Sequence, residues 1–283
     1  MPHKIGYVDN SDGTLAHYKM LETIHDFAAA NGWQVLRYDT ASENRQLILK
    51  GSGYTGAEEI FVGFRTYQNA AADYYNLLAG VFTGYVAANS FDTQPGVMLS
   101  GVPAHNLRIE YWLTLNPQRI TLAMKVGTPV YEHAYVGKML PYARPSQYPY
   151  PVVCGGALTG AEAKRFSDTE HASYFRGGRA NMRLRLNDGW AQPYCYPWSD
   201  AMIAGGGSSV SSRSMRDTNG VHLLLPVELH GSANVYGALD GIHYISGFNN
   251  TVESTLTIDG HGYVVMQDVW RTSHNAYYAM RLD

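Results

Sequence analysis

Arg108-Ile109-Glu110-Tyr111-Trp112-Leu113-Thr114-Leu115 and Arg119-Ile120-Thr121-Leu122-Ala123-Met124-Lys125-Val126 flank the short connection Asn116-Pro117-Gln118. Both arms carry the two-residue periodicity of a β-strand. Pro117 lies in the connection, where its missing N–H interrupts no ladder of hydrogen bonds. The stretch therefore predicts an antiparallel hairpin, and it is the strongest hairpin signal in the chain.

One amphipathic helix is predicted upstream of this hairpin, over residues 14–30. Apolar side chains recur there at three- and four-residue spacing, at Leu15, Tyr18, Leu21, Ile24 and Ala28. Asp12 or Thr14 is expected to cap its start, and Asn31-Gly32 is expected to end it, because glycine tolerates the left-handed conformation found at helix ends. Strands predicted at residues 5–8 and 33–38 flank the helix, so the chain opens strand, helix, strand.

Short strands dominate the predictions for the rest of the chain. Residues 69–78 are expected to form a short helix or a loop, and residues 131–140 a strand or a short helix. A strand at residues 221–229 is expected at a sheet edge, because Pro226 cannot donate to a ladder. Asp259-Gly260 has the residues of a tight hairpin turn. Further strands are predicted at residues 46–50, 59–67, 81–88, 182–186, 255–258 and 263–267.

These elements predict an α+β fold of mostly antiparallel β-structure, with one clear N-terminal helix packed on a sheet and a loop-rich β region after it. Residues 141–151 interleave four prolines with Tyr142, Tyr148 and Tyr150, which favours an extended path. We take this segment as the boundary between an α+β domain of residues 1–145 and a β-rich, loop-rich domain of residues 146–283, with a single domain as the alternative. Its three tyrosines are candidate interface residues, although such a segment more often packs over its own core. Residues 204–214 have the composition of a flexible loop.

The chain has a lower fraction of charged residues than most soluble globular domains. Charged residues make up 16% of the 283 residues, the net charge is −3, and glycine (29) and tyrosine (22) are abundant. A polar surface with few charges is easily desolvated, which suits large protein–protein contacts, although β-rich proteins also use many tyrosines and glycines. The acidic balance argues against nucleic acid as the main partner and against an anionic membrane, and no stretch has the 18 apolar residues that indicate a membrane span.

The sequence gives little indication of an enzyme or of a cofactor site. The glycine-rich stretches lack the lysine of a phosphate loop, the eleven histidines form no HxH or HExxH pattern, and the 24 acids single out no catalytic pair. We therefore predict no enzyme, no cofactor and no metal. Cys154 and Cys195 lie in no CxxC pair; a disulfide between them stays open, and reduced, partly buried thiols are favoured. Four aromatic residues are a candidate sugar-binding platform, or they pin a long loop: Trp190, Tyr194, Tyr196 and Trp198.

Two regions carry a recognisable pattern. The first comprises Glu59-Ile60-Phe61-Val62-Gly63-Phe64-Arg65-Thr66-Tyr67, Gly84-Tyr85-Val86, Ser90-Phe91-Asp92-Thr93-Gln94-Pro95-Gly96 and Pro141-Tyr142-Ala143-Arg144-Pro145-Ser146-Gln147-Tyr148-Pro149-Tyr150-Pro151. The second comprises Gly237-Ala238-Leu239-Asp240-Gly241-Ile242, Ser246-Gly247-Phe248 and Tyr277-Tyr278-Ala279-Met280-Arg281-Leu282. Both resemble virion structural proteins of tailed bacteriophages and prophages, and the resemblance carries no catalytic residues with it.

The resemblance implies a structural subunit of the tail, neck or baseplate. Its partners would be further copies of itself, in a ring or another symmetric oligomer, and other virion proteins. The N-terminus lacks the apolar core of a signal peptide, which favours synthesis and assembly in the host bacterial cytoplasm and a final location in the virion. A carbohydrate-recognising receptor-binding module of the virion is the alternative function, and a cell-wall or polysaccharide hydrolase is a third hypothesis.

Overall fold

The computed structural model describes residues 1–142, 151–176, 181–198 and 218–283. Three sheets organise these residues, and every pairing between their strands is antiparallel. The helix α1 (Ala16–Ala30) packs against strands of the first two sheets. The predicted fold class, α+β with mostly antiparallel strands, is confirmed.

The first sheet contains the hairpin predicted at residues 108–126. Its strands, in spatial order, are β1 (His3–Asp9), β7 (Arg108–Asn116), β8 (Arg119–Lys125), β9 (Tyr131–Lys138), β11 (Val152–Gly156), β13 (Asn181–Leu186) and β14 (Gly189–Ala191). Residues 108–116 and 119–125 pair as the predicted hairpin, but Asn116 lies opposite Arg119, so the turn is the two residues Pro117-Gln118 and not the predicted Asn116-Pro117-Gln118. The first sheet takes β11, β13 and β14 from beyond the boundary predicted near residue 145.

The second sheet comes from the first half of the chain, except for one short strand. Its order is β12 (Leu158–Thr159), β6 (Met98–Val102), β5 (Tyr74–Phe82), β4 (Ile60–Asn69), β3 (Gln46–Gly51) and β2 (Gln34–Asp39). The third sheet has the order β15 (Tyr194–Tyr196), β16 (Leu225–His230), β17 (Val235–Tyr244), β20 (Tyr277–Arg281), β19 (His261–Gln267) and β18 (Thr255–Ile258). The short strand β10 (Leu140–Pro141) also pairs with β17.

The first sheet is the central layer, because its alternate residues enter two different cores. Tyr111 and Leu113 pack into a core shared with α1 and the second sheet, whereas Trp112 between them packs into a core shared with the third sheet. On β11, Cys154 and Val153 divide in the same way. The sheet is therefore covered on both faces, which explains why its strands are more uniformly apolar than a half-exposed strand.

The ends of α1 agree only in part with the prediction. Leu15 is the N-cap residue, and no side chain caps the helix, so the expected cap by Asp12 or Thr14 is wrong. The Asp12 carboxylate lies before the helix, where it accepts a hydrogen bond from the Thr14 amide at 2.9 Å. At the other end Gly32 has a φ of +89°, as the predicted stop requires.

Three strand predictions need correction. Residues 69–78 form a 3-10 turn at Ala70–Ala72 and then enter β5. The side chain of Asn69 stabilises the turn, because it accepts hydrogen bonds from two of its amides. The strand predicted at 81–88 ends at Phe82. β16 has neighbours on both sides, yet β15 pairs only with residues 228–230, so Pro226 lies where no second ladder needs its N–H. The Asp259-Gly260 hairpin is confirmed, with positive φ at both residues.

Candidate functional site

The most unusual side chains of the described chain meet beside β9. Glu132 lies on the same face of this strand as Ala134 and Val136, which belong to the first core, and its side chain is fully buried. A carboxylate at such a position is costly unless it is paired. Its partner is His171, whose Nε2 lies 2.6 Å from Oε1 of Glu132. The pair therefore joins the central sheet to the segment of residues 161–176, which contains no helix or strand.

Burial and charge act on this pair in opposite directions. Burial raises the pKa of the Glu132 carboxyl to about 7, although the charge of His171 opposes the shift. Burial by itself lowers the pKa of His171, but the charge of Glu132 and its hydrogen bond together outweigh burial, and the pKa is raised. The folded state thus holds protons on this pair more tightly than the separated side chains would.

A second carboxylate fixes the backbone on either side of His171. Asp268, which is fully buried and directly follows β19, accepts a hydrogen bond from the Ser173 amide at 2.8 Å. Its other oxygen lies 3.2 Å from Nη1 of Arg271 and 3.3 Å from Nε of Arg176. Arg271 in turn donates to the carbonyl oxygen of His171 at 3.0 Å. His171 is therefore held by two other parts of the chain, its ring by β9 and its backbone by the loop after β19.

A polar cavity of about 590 Å³ lies against His171. Its wall has both signs of charge, and the Lys164 and Glu170 side chains within it are 2.5 Å apart. The lining residues are Ala157, Leu158, Thr159, Glu162, Lys164, Thr169, Glu170, His171 and Asn181. Within the described residues, Nδ1 of His171 and Oε2 of Glu132 have no hydrogen-bond partner.

A separate polar network joins the first and third sheets. Oδ2 of Asp240, on β17, accepts hydrogen bonds from Asn116 at 2.7 Å, Gln118 at 2.9 Å and the Tyr54 hydroxyl at 3.0 Å. Arg119 is completely buried beside it and donates to Thr114 and Thr121. These contacts tie the turn of the first hairpin to β17, so the network is a structural one.

The predicted interface tyrosines are placed only in part. The Tyr142 side chain is 56% exposed, and its hydroxyl donates to Oε1 of Glu228 at 2.8 Å. Burial and the Glu228 carboxylate raise the pKa of Tyr142 to about 12. Tyr148 and Tyr150 lie outside the described residues, as does the glycine-rich loop at 204–214.

The four aromatic residues of the candidate sugar platform are not gathered into one face. Trp190 packs against the first core and donates to the Gly96 carbonyl at 3.1 Å, whereas Trp198 packs against Phe175 in the second core. Tyr194 is 46% exposed and stacks on His230, and Tyr196 is half-buried on the same strand, β15. The positions of Trp190 and Trp198 are those of residues that pin a loop.

Cys154 and Cys195 are both free thiols and both buried, so the disulfide that the sequence left open does not form. They lie in different cores, Cys154 in the first and Cys195 in the second. Burial raises the pKa of each thiol to about 12. Both are therefore unreactive core residues.

The paired residues of the site were not singled out by sequence reasoning. Glu132 and Asp268 were among the acids considered, but nothing distinguished them from the others. The one available signal was Glu132 at a core-facing position of an otherwise apolar strand. His171 and Arg271 lie outside any periodic segment, so no pattern in the sequence marks them.

Comparison of the sequence with models of known protein families gives no match, and comparison with curated proteins gives none either. Among the residues that the structure describes, no group of three or more His, Cys, Asp or Glu side chains is arranged to hold a metal ion. No helix in the described ranges is both long enough and apolar enough to cross a membrane.

Proposed function

We propose that this protein is a structural subunit of a tailed-phage virion and forms part of the tail, neck or baseplate through symmetric protein–protein contacts. The resemblance to virion proteins, carried by residues 59–67, 84–86, 90–96, 141–151, 237–242, 246–248 and 277–282, motivates the proposal. The low charged fraction, 16% of residues, supports it, because the buried centres of protein interfaces are depleted in charge.

The observation that carries the proposal is the exposure of large apolar side chains around the molecule. They occur on the first sheet at Ile5 and Tyr7, after the second sheet at Val86, and beside the third sheet at Leu140 and Tyr142. An assembly subunit needs more than one contact surface, since each copy meets neighbours on several sides. Exposed apolar side chains on several faces suit that requirement.

Of the three candidate interface tyrosines, Tyr142 is the one that lies within the described residues. Its ring is exposed while its hydroxyl is held by Glu228, and its backbone amide donates to the Tyr236 carbonyl at 3.0 Å. The residue is thus fixed in place with an open aromatic surface, a combination that costs little side-chain entropy on docking. It marks the start of the proline- and tyrosine-rich segment that we propose to lie across a neighbouring subunit.

The proposal is tested on particles of the phage or prophage that encodes the chain. We expect peptides of this protein in gradient-purified particles, at a copy number that is a multiple of the particle's rotational symmetry. Absence of the chain from purified particles that are complete and infectious would overturn the proposal.

The alternative, a carbohydrate-recognising receptor-binding module, rests on Tyr194. Its ring is nearly half exposed and stacks on His230 with ring centroids 5.4 Å apart, which gives a fixed aromatic face. Sugars pack on such faces. A Tyr194→Ala phage that assembles normally but adsorbs to its host at least tenfold more slowly would favour this alternative, and unchanged adsorption would remove it.

A further inference from the structure

The outer edge of the first sheet is open. β1 pairs with β7 along its whole length, from His3 opposite Thr114 to Asp9 opposite Arg108. On its other side no strand of the described residues pairs with it. An open edge of seven extended residues is a template for a further strand, and proteins usually protect such edges with proline, with charges or by covering them.

The backbone groups that face outward along β1 can be assigned. The Pro2 carbonyl accepts from the Leu115 amide at 3.2 Å, and the Asn10 amide donates to the Leu107 carbonyl at 2.8 Å. Even-numbered residues therefore turn their backbone groups toward β7. Because this direction alternates along a strand, the odd-numbered residues present their N–H and C=O groups outward. They are His3, Ile5, Tyr7 and Asp9.

The side chains of the same four residues share one face of the sheet. Ile5 is 47% exposed and Tyr7 is 57% exposed, and the Arg108 guanidinium lies 4.0 Å from the centre of the Tyr7 ring. The only lysine of β1, Lys4, lies on the opposite face. Among the described residues the edge is therefore unpaired, and on this face β1 carries Ile5 and Tyr7 at its middle and His3 and Asp9 at its two ends.

We propose that β1 pairs antiparallel with β1 of a second copy of this chain, around a two-fold axis at Gly6. In this register Ile5 lies opposite Tyr7 of the second copy, which is a favourable pair of a β-branched and an aromatic side chain. His3 lies opposite Asp9 of the second copy, so an imidazole, whose Nδ1 lies 2.7 Å from the Leu282 carbonyl oxygen, faces a carboxylate at each end. The sequence His3-Lys4-Ile5-Gly6-Tyr7-Val8-Asp9 is thus complementary to itself when reversed.

The directions of the backbone groups agree with this register. Gly6 bonds to β7, so Gly6 opposite Gly6 is a pair without hydrogen bonds, where strands approach most closely and a side chain would crowd. The Ile5–Tyr7 and His3–Asp9 pairs then exchange two hydrogen bonds each. A slip by two residues loses a pair at each end and sets Ile5 opposite Asp9 or opposite another Ile5. A shift by one residue sets odd-numbered residues opposite even-numbered ones. The outward N–H and C=O groups of one copy then do not face those of the other.

The pairing is isologous, as two-fold contacts are, and it joins the first sheets of two copies into one continuous sheet. It goes beyond the proposed function, because it rests on β1 alone and does not require the chain to belong to a virion. The two proposals therefore fail separately: particles test the first, and the purified chain in solution tests the second.

Two charge variants test the register as well as the contact. In I5K/Y7K each new lysine lies opposite a lysine of the second copy, whereas in I5K/Y7E each lysine lies opposite a glutamate. Both variants change the same two exposed positions and leave the bonds to β7 in place. L223K/V235K, which adds two lysines at exposed apolar positions away from the first sheet, is the control.

The association constant is measured by sedimentation of the full chain over a range of concentrations. We expect self-association of the parent chain and of L223K/V235K, at least a tenfold weaker association of I5K/Y7K, and recovery to within about threefold in I5K/Y7E, since tenfold corresponds to about 1.4 kcal/mol. A parent chain that stays monomeric at about 100 μM overturns the proposal. So does an I5K/Y7K variant that associates as the parent does, or an I5K/Y7E variant as weak as I5K/Y7K.

Amide hydrogen exchange gives a readout that does not depend on these substitutions. The amides of Ile5, Tyr7 and Asp9 point outward and are expected to exchange at least tenfold more slowly in the associated state than in the diluted monomer. The amides of Lys4, Gly6 and Val8, which face β7, are expected to be protected in both states. Equal exchange of the outward amides at high and low concentration would contradict the pairing.

Discussion

The Nε2 atom of His171 lies 2.6 Å from Oε1 of Glu132, and solvent reaches neither side chain. The two residues are 39 positions apart in the sequence. Their contact fixes residues 161–176 against the central sheet, together with the bond from the Tyr67 hydroxyl to the Glu162 carbonyl at 2.9 Å. A segment without helix or strand is thereby held by polar contacts.

Replacing Glu132 with Gln tests the contribution of this pair to stability. The substitution keeps the shape of the side chain but removes the charge that stabilises protonated His171. Loss of one partner of a buried pair is costly, so we expect a decrease of about 3 kcal/mol in the free energy of unfolding at pH 7. Urea denaturation followed by fluorescence measures this value.

The matched control is Glu59→Gln, which removes the partner of Lys50 from an exposed ion pair. We expect a change within about 0.5 kcal/mol, because exposed pairs contribute little. If Glu132→Gln were as mild as this control, the buried pair would not hold the segment.

His17 predicts part of the acid sensitivity of the protein. The ring is completely buried on α1, and burial lowers its pKa to about 3, well below its ordinary value of 6.5. The unfolded chain therefore binds more protons than the folded chain between these values, and stability from this residue is lost as the pH falls below about 6.5. Burial also lowers the pKa values of His133 and His243 to about 4, which adds in the same direction.

The Glu132–His171 pair acts with the opposite sign. Both pKa values are raised in the folded state, so the stability that this pair contributes is present at low pH and decreases as the pH rises from about 4.5 through 7. His17, His133 and His243, whose pKa values are lowered, act more strongly below pH 6.5 because they outnumber the two groups of the pair. We expect the free energy of unfolding to increase from pH 5 to pH 7.

His17→Phe isolates the first effect. The substitution removes the titrating group while keeping an aromatic ring of similar size in the same core position. Relative to the parent chain, we expect this variant to gain about 2 kcal/mol between pH 8 and pH 5, from the shift of the histidine pKa. Denaturation at the two pH values measures the gain, and an equal difference at both would show that His17 does not titrate on unfolding.

Asp240 is expected to hold the first and third sheets together. Three donors converge on its Oδ2 atom, so Asp240→Ala leaves the buried amides of Asn116 and Gln118 and the hydroxyl of the exposed Tyr54 without this acceptor. We expect a loss of about 3 kcal/mol for Asp240→Ala and about 1 kcal/mol for Tyr54→Phe, which removes a single donor. Equal losses in the two variants would mean that the network does not converge on Asp240.

Two substitutions of Tyr142 distinguish an effect on folding from an effect on assembly. Tyr142→Phe removes one exposed hydrogen bond, to Glu228, and Tyr142→Ala also removes the exposed ring. We expect both variants to unfold within about 1 kcal/mol of the parent. Incorporation into particles is expected to fall at least tenfold for Tyr142→Ala and to stay near the parent level for Tyr142→Phe. Normal incorporation of Tyr142→Ala would remove this residue from the interface.

Local sequence patterns were sufficient to predict much of the fold. The hairpin at residues 108–126, the helix near residues 14–30 and the Asp259-Gly260 turn each depend on neighbouring residues, and each was predicted correctly. The strand order was not predictable, because the pairing of β1 with β7 joins residues about a hundred positions apart. Pro226 indicated an edge, but only the length of the neighbouring strand β15 shows how β16 accommodates it in the interior of a sheet.

The candidate site was less accessible to sequence reasoning. Its members come from a strand, an irregular segment and a loop after β19, and only the folded chain brings them together. A single acid on an apolar strand, Glu132, was visible in the sequence, but its partner His171 was one of eleven histidines. The self-complementary order of β1 was present in the sequence as well, yet it acquires meaning only once β1 is known to be an edge strand.

The proposal that the chain is a symmetric structural subunit of a virion is tested most directly by cryo-electron microscopy of the intact particle, with this chain traced in the map. We expect several copies in the tail, neck or baseplate, related by the symmetry of that part, with Tyr142 at a contact between subunits. A particle map that is complete at the tail, neck and baseplate and contains no copy of this chain would contradict it.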